Sequence, residues 1–428
     1  MAKREYAQLQ ETLYSERLDN GLEVHVLPKP GFTKTYAVFQ TRYGSVDNHF
    51  RPPGGQPIRV PDGIAHFLEH KMFEEPEGDV FARFASQGAS ANAYTSFDRT
   101  VYLFSATRSV DANLTTLLDF VQHPYFTDEN VEKEKGIIIQ EINMYQDNPD
   151  WRVYYGLIGA LYRNHPVHID IAGTAESVRS ITKEMLYDCY RTFYHPSNMS
   201  LFVVGGVDPE ATLALVRANQ ADKSFGPGGD IVRLFDEEPM QIRQALIETK
   251  LPVSLPKCLF GFKEEPVAAD GETAVRRELA IKVALDALLS GSSPLYQALY
   301  DDNLISDGFG FEYNTGPGYA FSVIGGDTRD PQEMVERISA ALEESAARGL
   351  DPDTFERTRR KKIGAYLRML NSPEAIAGEF TRYRNKGADL FELIGVYESL
   401  TLEEANARLR EHVHPQRRAV SVVRGDSA

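Results

Sequence analysis

The chain has 428 residues, of which 42% are hydrophobic and 25% charged, as is typical of a soluble globular protein with a large core. At about 100–200 residues per domain, this length predicts two to four domains. The 62 acidic and 46 basic side chains give a net charge of −16. That balance argues against broad nucleic-acid binding, which needs a basic surface.

The cysteines and the first residues bear on the compartment. Cys189 and Cys258 lie far apart in apolar surroundings, so they predict buried reduced thiols rather than a disulfide framework or a cysteine zinc site. Residues 1–18 contain no apolar core of a signal peptide. No stretch reaches 18 consecutive apolar residues, so no membrane span is expected. The sequence therefore predicts a cytoplasmic protein.

The first half of the chain alternates strand and helix patterns. Residues 22–46 predict strands, and the Pro/Gly-rich loop 51–63 precedes a helix from about Gly63 to Glu75 that Asp62 can cap. The later patterns predict a short helix at 78–87, a pair of strands at 89–107, and helices at 110–122 and 127–147. They then predict a helix at 182–194, a strand at 201–204 and a helix from Asp208 onward.

The stretch 219–240 is the best linker candidate, because a Gly-Pro-Gly-Gly segment and a cluster of charges interrupt the periodic patterns. Beyond it the order of strands and helices repeats. We therefore predict an α+β fold of two similar α/β-sandwich lobes, produced by internal duplication. The predicted boundaries are an N-terminal lobe at 1–222, a linker at 223–240 and a C-terminal lobe without a metal motif at 241–428.

The predicted first helix contains the order His-x-x-Glu-His, as His66, Glu69 and His70. Residues four apart share one face of a helix, so both imidazoles can bind one ion, and Glu69 points to the same side. A zinc ion held by two histidines needs a third protein ligand, and a carboxylate beside it can act as general base. This order is the inverse of the common metalloprotease motif and is a recognised variant. The alternative is a solvated helix that carries two histidines by chance.

The third ligand is expected on the predicted helix 127–147. Glu134 and Glu141 are seven residues apart and share a face of that helix. The run Ile137–Ile139 predicts that the helix is substantially buried, and a buried carboxylate needs a partner such as a metal ion. We therefore favour Glu141 as the ligand. Solvated surface positions are predicted for the two earlier glutamates, Glu129 and Glu132.

With these residues in place, the chain resembles the pitrilysin or insulinase family of zinc peptidases, which includes the mitochondrial processing peptidases. The matching segments are GIAHFLEH at 63–70 and EKGIIIQE at 134–141. The resemblance implies the metalloprotease fold shared with LuxS and one Zn²⁺ per chain. It implies these roles: metal ligands His66, His70 and Glu141, general base Glu69, and assisting catalytic residue Glu134.

A third segment, GASANAYT at 88–95, matches an edge strand that binds substrate in the family. An extended peptide adds to a free strand edge through main-chain hydrogen bonds, so the resemblance implies substrate binding by Ala91, Asn92 and Ala93. The alternative for Asn92 is an ordinary strand-edge amide. A narrower resemblance is to the bacterial elongation factor P 5-aminopentanol modification-associated, processing-peptidase-like subgroup, carried by the runs HFLEHKMFE, GASANAYTSF, VEKEKGIIIQEI, NPDW and FYHPSNM.

The resemblance also implies a partner. Family members enclose a peptide substrate between two halves, and the half opposite the zinc supplies an Arg and a Tyr that contact the substrate. The corresponding region here, 299–307, has no such pair at the family's spacing, and the nearby Tyr313 and Tyr319 are better explained as strand residues. This favours a heterodimer with a related zinc-less subunit, while a homodimer stays possible.

Three functions stay open. The first is a zinc-dependent endopeptidase or oligopeptidase that acts on peptides or small unfolded polypeptides in a chamber formed with a partner subunit. The second is a non-proteolytic assembly or maturation factor, against which the intact His66, Glu69 and His70 argue. The third is a dedicated maturation peptidase for a ribosomally made peptide. The basic run Arg359–Lys362 predicts a solvated helix face rather than a nucleic-acid patch.

Overall fold

The computed structural model describes residues 1–76, 78–266 and 271–425. Its strands follow the chain as β1 (Ala2–Tyr6), β2 (Glu11–Arg17), β3 (Glu23–Pro28), β4 (Thr35–Thr41), β5 (His49–Arg51), β6 (Ile58–Arg59), β7 (Glu74–Glu75), β8 (Gly78–Asp79), β9 (Ala89–Thr95), β10 (Thr100–Ala106), β11 (Met199–Gly205), β12 (Val232–Arg233), β13 (Leu246–Lys250), β14 (Lys257–Glu264), β15 (Gly310–Gly316), β16 (Tyr319–Asp327) and β17 (Arg418–Arg424).

The α-helices are α1 (Ile64–Lys71), α2 (Val80–Ser86), α3 (Val110–Val121), α4 (Asp128–Gln146), α5 (Pro149–Leu161), α6 (Ala175–Arg179), α7 (Lys183–Phe193), α8 (Pro209–Ala221), α9 (Gly271–Leu289), α10 (Pro294–Asp301), α11 (Pro331–Arg348), α12 (Pro352–Met369), α13 (Pro373–Asn385), α14 (Leu393–Ser399) and α15 (Leu402–His412). Short 3₁₀ turns lie at Pro166–His168, Pro196–Asn198, Leu390–Glu392 and Pro415–Arg417. Within the described ranges, none of these helices has the length and apolarity needed to cross a bilayer.

Contacts divide the chain into two compact units, each built from separate stretches of sequence. Unit 1 comprises Met1–Ile142, Asp170–Leu234 and Met369–Asn385. Unit 2 comprises Asn143–Ile169, Phe235–Arg368 and Lys386–Ala428. The lobes expected from the sequence are continuous, whereas each of these units takes a helix from the other half of the chain: α5 belongs to unit 2 and α13 to unit 1.

The main sheets of the two units share one topology. The order is β1-β2-β3-β11-β4-β10-β9 in unit 1 and β13-β17-β14-β16-β15 in unit 2. From β3 and from β13 onward, both sheets place the last strand of the set beside the first, and that pair is parallel. The remaining neighbours in both five-stranded sets are antiparallel. This is the internal duplication that the sequence predicts.

The sheet of unit 1 is covered on both faces. Alternate strand residues such as Val24, Phe39 and Leu201 are fully buried in one core cluster, together with residues of α1, α3 and α7. Residues of opposite parity contact α13: the ring of Phe380 stacks on Phe202 at 4.2 Å and meets His25 edge-on at 5.1 Å. The zinc-motif helix and α13 therefore lie on opposite faces of one sheet.

In unit 2, α5 packs against β13, β14 and β17. A buried polar network crosses the sheet: Glu264 is paired with Arg408, lies 2.9 Å from Nδ1 of His412 and accepts a hydrogen bond from the Tyr313 hydroxyl at 3.1 Å. Tyr313 and Tyr319 are strand residues, as predicted.

The predictions for the two cysteines and for the basic run can be compared with the structure. Cys189 and Cys258 are both buried free thiols. The basic run lies on α12 and its charges are paired, since Arg359 and Arg360 contact Glu356, and the two lysines that follow contact Asp286. The run therefore lies on a helix, as predicted, but only Arg360 and Lys361 are exposed, while Arg359 and Lys362 are partly buried.

Candidate metal centre and active site

The helix that carries the motif begins where two glycines approach closely. Gly63 has φ +86°, and a Cβ there would lie 2.3 Å from the carbonyl oxygen of Ala172. Gly173 has φ +75°, and a Cβ there would lie 2.5 Å from the carbonyl oxygen of Asp62. Glycine tolerates both the positive φ and the close approach, so these residues fix where α1 starts.

Two predictions about α1 are wrong. Asp62 does not cap the helix, because the N-cap residue is Gly63 and the Asp62 carboxylate instead accepts a hydrogen bond from Asn48 Nδ2 at 2.7 Å. The helix also ends at Lys71 rather than near Glu75, because the chain enters β7 at Glu74.

The structure brings together His66, His70 and Glu141. One ligand atom from each lies within 4.8 Å of the others, and this is the only such cluster of His, Cys, Asp or Glu in the described ranges. Nε2 of His66 is 3.8 Å from Glu141 Oε2, and Nε2 of His70 is 3.6 Å from the same oxygen. The two imidazole rings meet at 61° with centroids 4.5 Å apart.

This spacing fits a tetrahedral zinc site. Zinc–ligand bonds of about 2.1 Å place tetrahedral ligand atoms about 3.4 Å apart, and the two measured nitrogen–oxygen separations exceed that by only a few tenths of an ångström. Two imidazoles and one carboxylate are also the donor set of catalytic rather than structural zinc sites, which keep one position open. The three residues therefore fit the ion that the motif implies.

Glu134 has a defined contact with one of the histidines. Its Oε1 lies 3.1 Å from Nδ1 of His70, so the carboxylate accepts the Nδ1 proton and leaves Nε2 free to face Glu141. A carboxylate behind a ligating imidazole fixes its tautomer and orientation. The structure therefore places Glu134 in contact with His70, and its assisting role in catalysis stays a prediction.

The two histidines differ in electrostatics. Burial lowers the pKa of His66 to about 3, and the neighbouring His70 adds to this effect, so His66 is neutral at pH 7. Burial also lowers the pKa of His70, but the hydrogen bond to Glu134 and the charges of Glu69 and Glu141 outweigh it and leave the pKa raised.

Glu69 is held by a residue that the sequence reasoning did not single out. The hydroxyl of Thr95 donates to Glu69 Oε2 at 2.7 Å, and Glu69 is 8% exposed. Burial raises the pKa of Glu69, and the Thr95 hydrogen bond opposes this shift. Thr95 lies two residues after Ala93, so the two side chains point to the same face of β9. Because Thr95 belongs to the segment 88–95, the alternation of side chains along that strand could have identified it.

The substrate-binding prediction falls on a free sheet edge. Among the described residues, β9 is the last strand of its sheet and pairs with β10 alone. The N–H of Ala93 donates to the side-chain oxygen of Asn92 at 2.9 Å. Alternate residues of an antiparallel edge strand turn their main-chain groups to the open side, so the groups of Ala91 and Ala93 share one side and those of Asn92 the other. Substrate binding by Ala91, Asn92 and Ala93 stays a prediction.

The expected burial of α4 is only partly right. Ile138 and Ile142 are buried, but Ile137 is 46% exposed and the Glu141 side chain 22% exposed. The helix is amphipathic, and Glu141 lies at the margin of its buried face rather than within it. The surface positions predicted for the earlier glutamates, Glu129 and Glu132, are exposed.

Comparisons with known proteins give one family. The profile of the insulinase family (peptidase family M16) matches residues 60–175, and that of the peptidase M16 inactive domain matches residues 180–362. The chain is 51% identical over 420 residues to the uncharacterized zinc protease YmfH of Bacillus subtilis, covering 98% of each sequence.

Solved structures agree with this relationship. An M16-like peptidase from Alicyclobacillus acidocaldarius superposes with a TM-score of 0.94 at 45% identity, covering 97% of this chain and 99% of that one. The periplasmic protease PqqL of Escherichia coli shares the fold, with a TM-score of 0.73 at 18% identity over 99% of this chain and 48% of its own. The chain therefore belongs to the M16 peptidase family.

Proposed function

We propose that the protein is a zinc-dependent peptidase that hydrolyses peptides or small unfolded polypeptides. The observation that carries this proposal is the set of three donors at near-tetrahedral spacing, with Glu69 buried beside it. Family membership supports the same activity, since the relative that covers 98% of its length is named a zinc protease.

The chain's own residues have distinct parts in this reaction. His66, His70 and Glu141 would hold the ion, which when bound acts as a Lewis acid and makes water a nucleophile at neutral pH. Glu69 accepts a proton from the attacking water and delivers it to the leaving amine. Thr95 holds the Glu69 carboxylate by a hydrogen bond from its hydroxyl to Oε2, which fixes the orientation of the base.

The substrate is proposed to bind as an additional strand. Main-chain groups of Ala91 and Ala93 on the free edge of β9 can pair with an extended peptide, which fixes the scissile bond relative to the motif. The Asn92 side chain, which now accepts from Ala93 N–H, would turn to the peptide when the strand is added.

The test combines metal analysis with a fluorogenic peptide assay. Purified protein is expected to contain one zinc per chain, and Glu69→Gln to keep the zinc and lose turnover. Glu141→Ala should lose the zinc, whereas Glu129→Gln, an exposed position on the same helix, should keep both metal and activity. A wild-type protein that binds no zinc would refute the proposal, and cleavage at the normal rate by Glu69→Gln would refute the assigned base.

We also propose that the active species is a heterodimer with a related zinc-less subunit. The fold of PqqL contains the whole of this chain in about half its length, so a chain of this size corresponds to one half of that enzyme. The region 299–307 has no Arg and Tyr at the spacing expected of an opposing half. Light scattering and the peptide assay, with and without the candidate subunit, test this; full activity of the chain alone as a monomer would contradict it.

Three details predicted from the sequence stay predictions: the division into lobes at 222 and 241, the cytoplasmic location, and the link to elongation factor P modification. The last would be tested by scoring modified elongation factor P in a strain that carries only the Glu69→Gln protein. Normal modification there would indicate that any such link does not need proteolysis.

A further inference from the structure

Four arginines of unit 1 gather at one end of its sheet: Arg17, Arg42, Arg233 and Arg384, hereafter the arginine cluster. Arg17 lies opposite Glu23 in the pairing of β2 with β3. Arg384, on α13, donates from Nε and Nη2 to the carboxylate of Glu23 at 3.0 and 2.9 Å. Arg233, on β12, donates to the carbonyl oxygen of Arg42.

The strand register places these side chains on one face. Glu23 lies opposite Ser200, and Ser200 opposite Gln40, so the three point to the same side of the sheet. Gln40 confirms this, since it donates to Ser200 Oγ at 2.9 Å and to Asn385 Oδ1 at 3.0 Å. Arg42 follows Gln40 by two residues and continues on that face just beyond β4.

The pKa of Arg42 also indicates that the four arginines of the cluster lie close together. Arg42 is exposed, but the protein around it partly desolvates its guanidinium group, which lowers its pKa. Glu23 raises this pKa, and the guanidinium groups of Arg233, Arg384 and Arg17 lower it again, with a lowered pKa as the result. Repulsion of this kind requires that the four groups lie near one another.

The cluster carries more positive charge than its neighbours neutralise. Glu23 is engaged by Arg384, and the buried Asp47 accepts from Arg233 Nε at 2.7 Å. Across residues 1–76, 78–266 and 271–425, the side chains of Arg17 and Arg42 have no ion pair, and both are exposed. Such a surplus is unusual in a chain of net charge −16.

The cluster lies at the same end of the sheet as the proposed substrate edge. Thr95 pairs with Thr100, and Thr100 with Thr41, so β9 and β4 end together one residue before Arg42. One strand, β10, separates β4 from β9, so a peptide added to β9 would lie three strand spacings from β4, or about 14 Å. The long side chains of an arginine and of a peptide glutamate can together span most of that distance, and a peptide that continues past Thr95 can turn toward it.

We propose that the arginine cluster is a substrate subsite for a carboxylate, so that the preferred substrates are peptides with an acidic residue at a fixed distance from the cleaved bond. This inference rests on the proposed peptidase function. Arg42 supplies the unengaged guanidinium group nearest the substrate edge, and Arg17, on β2 farther from that edge, adds positive charge around it. Glu23 and Asp47 keep Arg384 and Arg233 in place beside Arg42.

The test uses fluorogenic peptides in pairs, identical except for glutamate or glutamine at one position, moved in turn along the peptide. For one position, kcat/KM of the glutamate peptide is expected to be about fivefold higher, chiefly through KM, and the preference should fade at high salt. The preference should fall to near unity in Arg42→Gln, fall by less in Arg17→Gln, and persist in Arg191→Gln, an exposed arginine on α7 outside the cluster. Arg42→Glu should instead favour a lysine peptide.

A parallel binding measurement separates this inference from the proposed function. Fluorescence anisotropy of the same peptides with zinc-loaded Glu69→Gln protein should show the same preference for glutamate. Binding with that preference but no cleavage by the wild type would remove the peptidase function and leave the subsite. Cleavage of both members of every pair at equal rates, with equal binding, would overturn the subsite and leave the peptidase.

Discussion

Replacing Thr95 with valine tests whether the general base needs its hydrogen bond. Valine keeps the shape and β-branching of threonine, so β9 should be undisturbed, but it removes the hydroxyl that donates to Glu69 Oε2 at 2.7 Å. The hydrogen bond from the main-chain N–H of Thr95 to the same carboxylate stays. A hydrogen bond to a charged group is worth about 1.5–3 kcal/mol. If the bond from the hydroxyl positions the carboxylate in the transition state, kcat should fall by roughly 10- to 150-fold.

The pH dependence has a defined sign. The Thr95 hydrogen bond opposes the rise that burial imposes on the pKa of Glu69, so removing it should raise that pKa further. Glu69 acts as a base only when ionised, and the acidic limb of the kcat/KM profile should therefore move to higher pH. Zinc content should not change, since Thr95 does not contact the three ligand residues.

Thr95→Ser is the matched control, because it keeps the hydroxyl and should retain most of the wild-type kcat. Steady-state kinetics between pH 5 and 9, with zinc measured on each sample, decide the matter. A Thr95→Val protein with normal zinc, normal kcat and an unmoved acidic limb would refute the reasoning. A change confined to KM would mean that Thr95 acts through the substrate edge instead.

Three further substitutions probe the framework. Gly63→Ala should weaken zinc binding, measured by competition with a chromogenic chelator, because its Cβ would lie 2.3 Å from a carbonyl oxygen; Gly54→Ala has a similar positive φ but nothing within 4 Å and should leave zinc affinity unchanged. Phe380→Ala should lower the free energy of unfolding by about 3–5 kcal/mol in urea titrations, whereas Leu367→Ala, at 42% exposure, should change it by well under 1 kcal/mol. Burial raises the pKa of Glu264, but its buried histidine and arginine partners lower it to about 2. The resulting stabilisation, about 3 kcal/mol, is present above pH 4.5 and is lost as the pH falls through 2, so urea titrations of wild type and Glu264→Gln should diverge at neutral pH and converge in acid.

Local sequence patterns were sufficient for the motif. Histidines four apart on a helix must share a face, and the structure places both within 3.8 Å of the carboxylate named as the third ligand. Glu141 was favoured because its apolar neighbours predicted a buried helix, yet that helix is less buried than the isoleucine run suggested. The family resemblance pointed to the same residue independently. The contact between Glu134 and His70 depends on how two helices pack, which no local pattern encodes.

Other features needed tertiary information. Asp62 is a residue type that often caps helices, yet its carboxylate accepts a hydrogen bond from Asn48, fourteen residues earlier. The N-cap position is instead occupied by Gly63, which has a positive φ. Helices α5 and α13 were not predicted at all. Their placement is set by the sheet faces they cover, which belong to strands far away in sequence.

The position of α13 has a consequence for biosynthesis. During translation the ribosome completes β11 long before it reaches residue 373, so the face of the sheet that carries Phe202 lacks α13 while residues 206–372 are being made. Unit 1 can close around its sheet only after Asn385 has left the ribosome. A peptidase centre in this unit would therefore mature late, when little unfolded polypeptide of its own remains beside it to be cut.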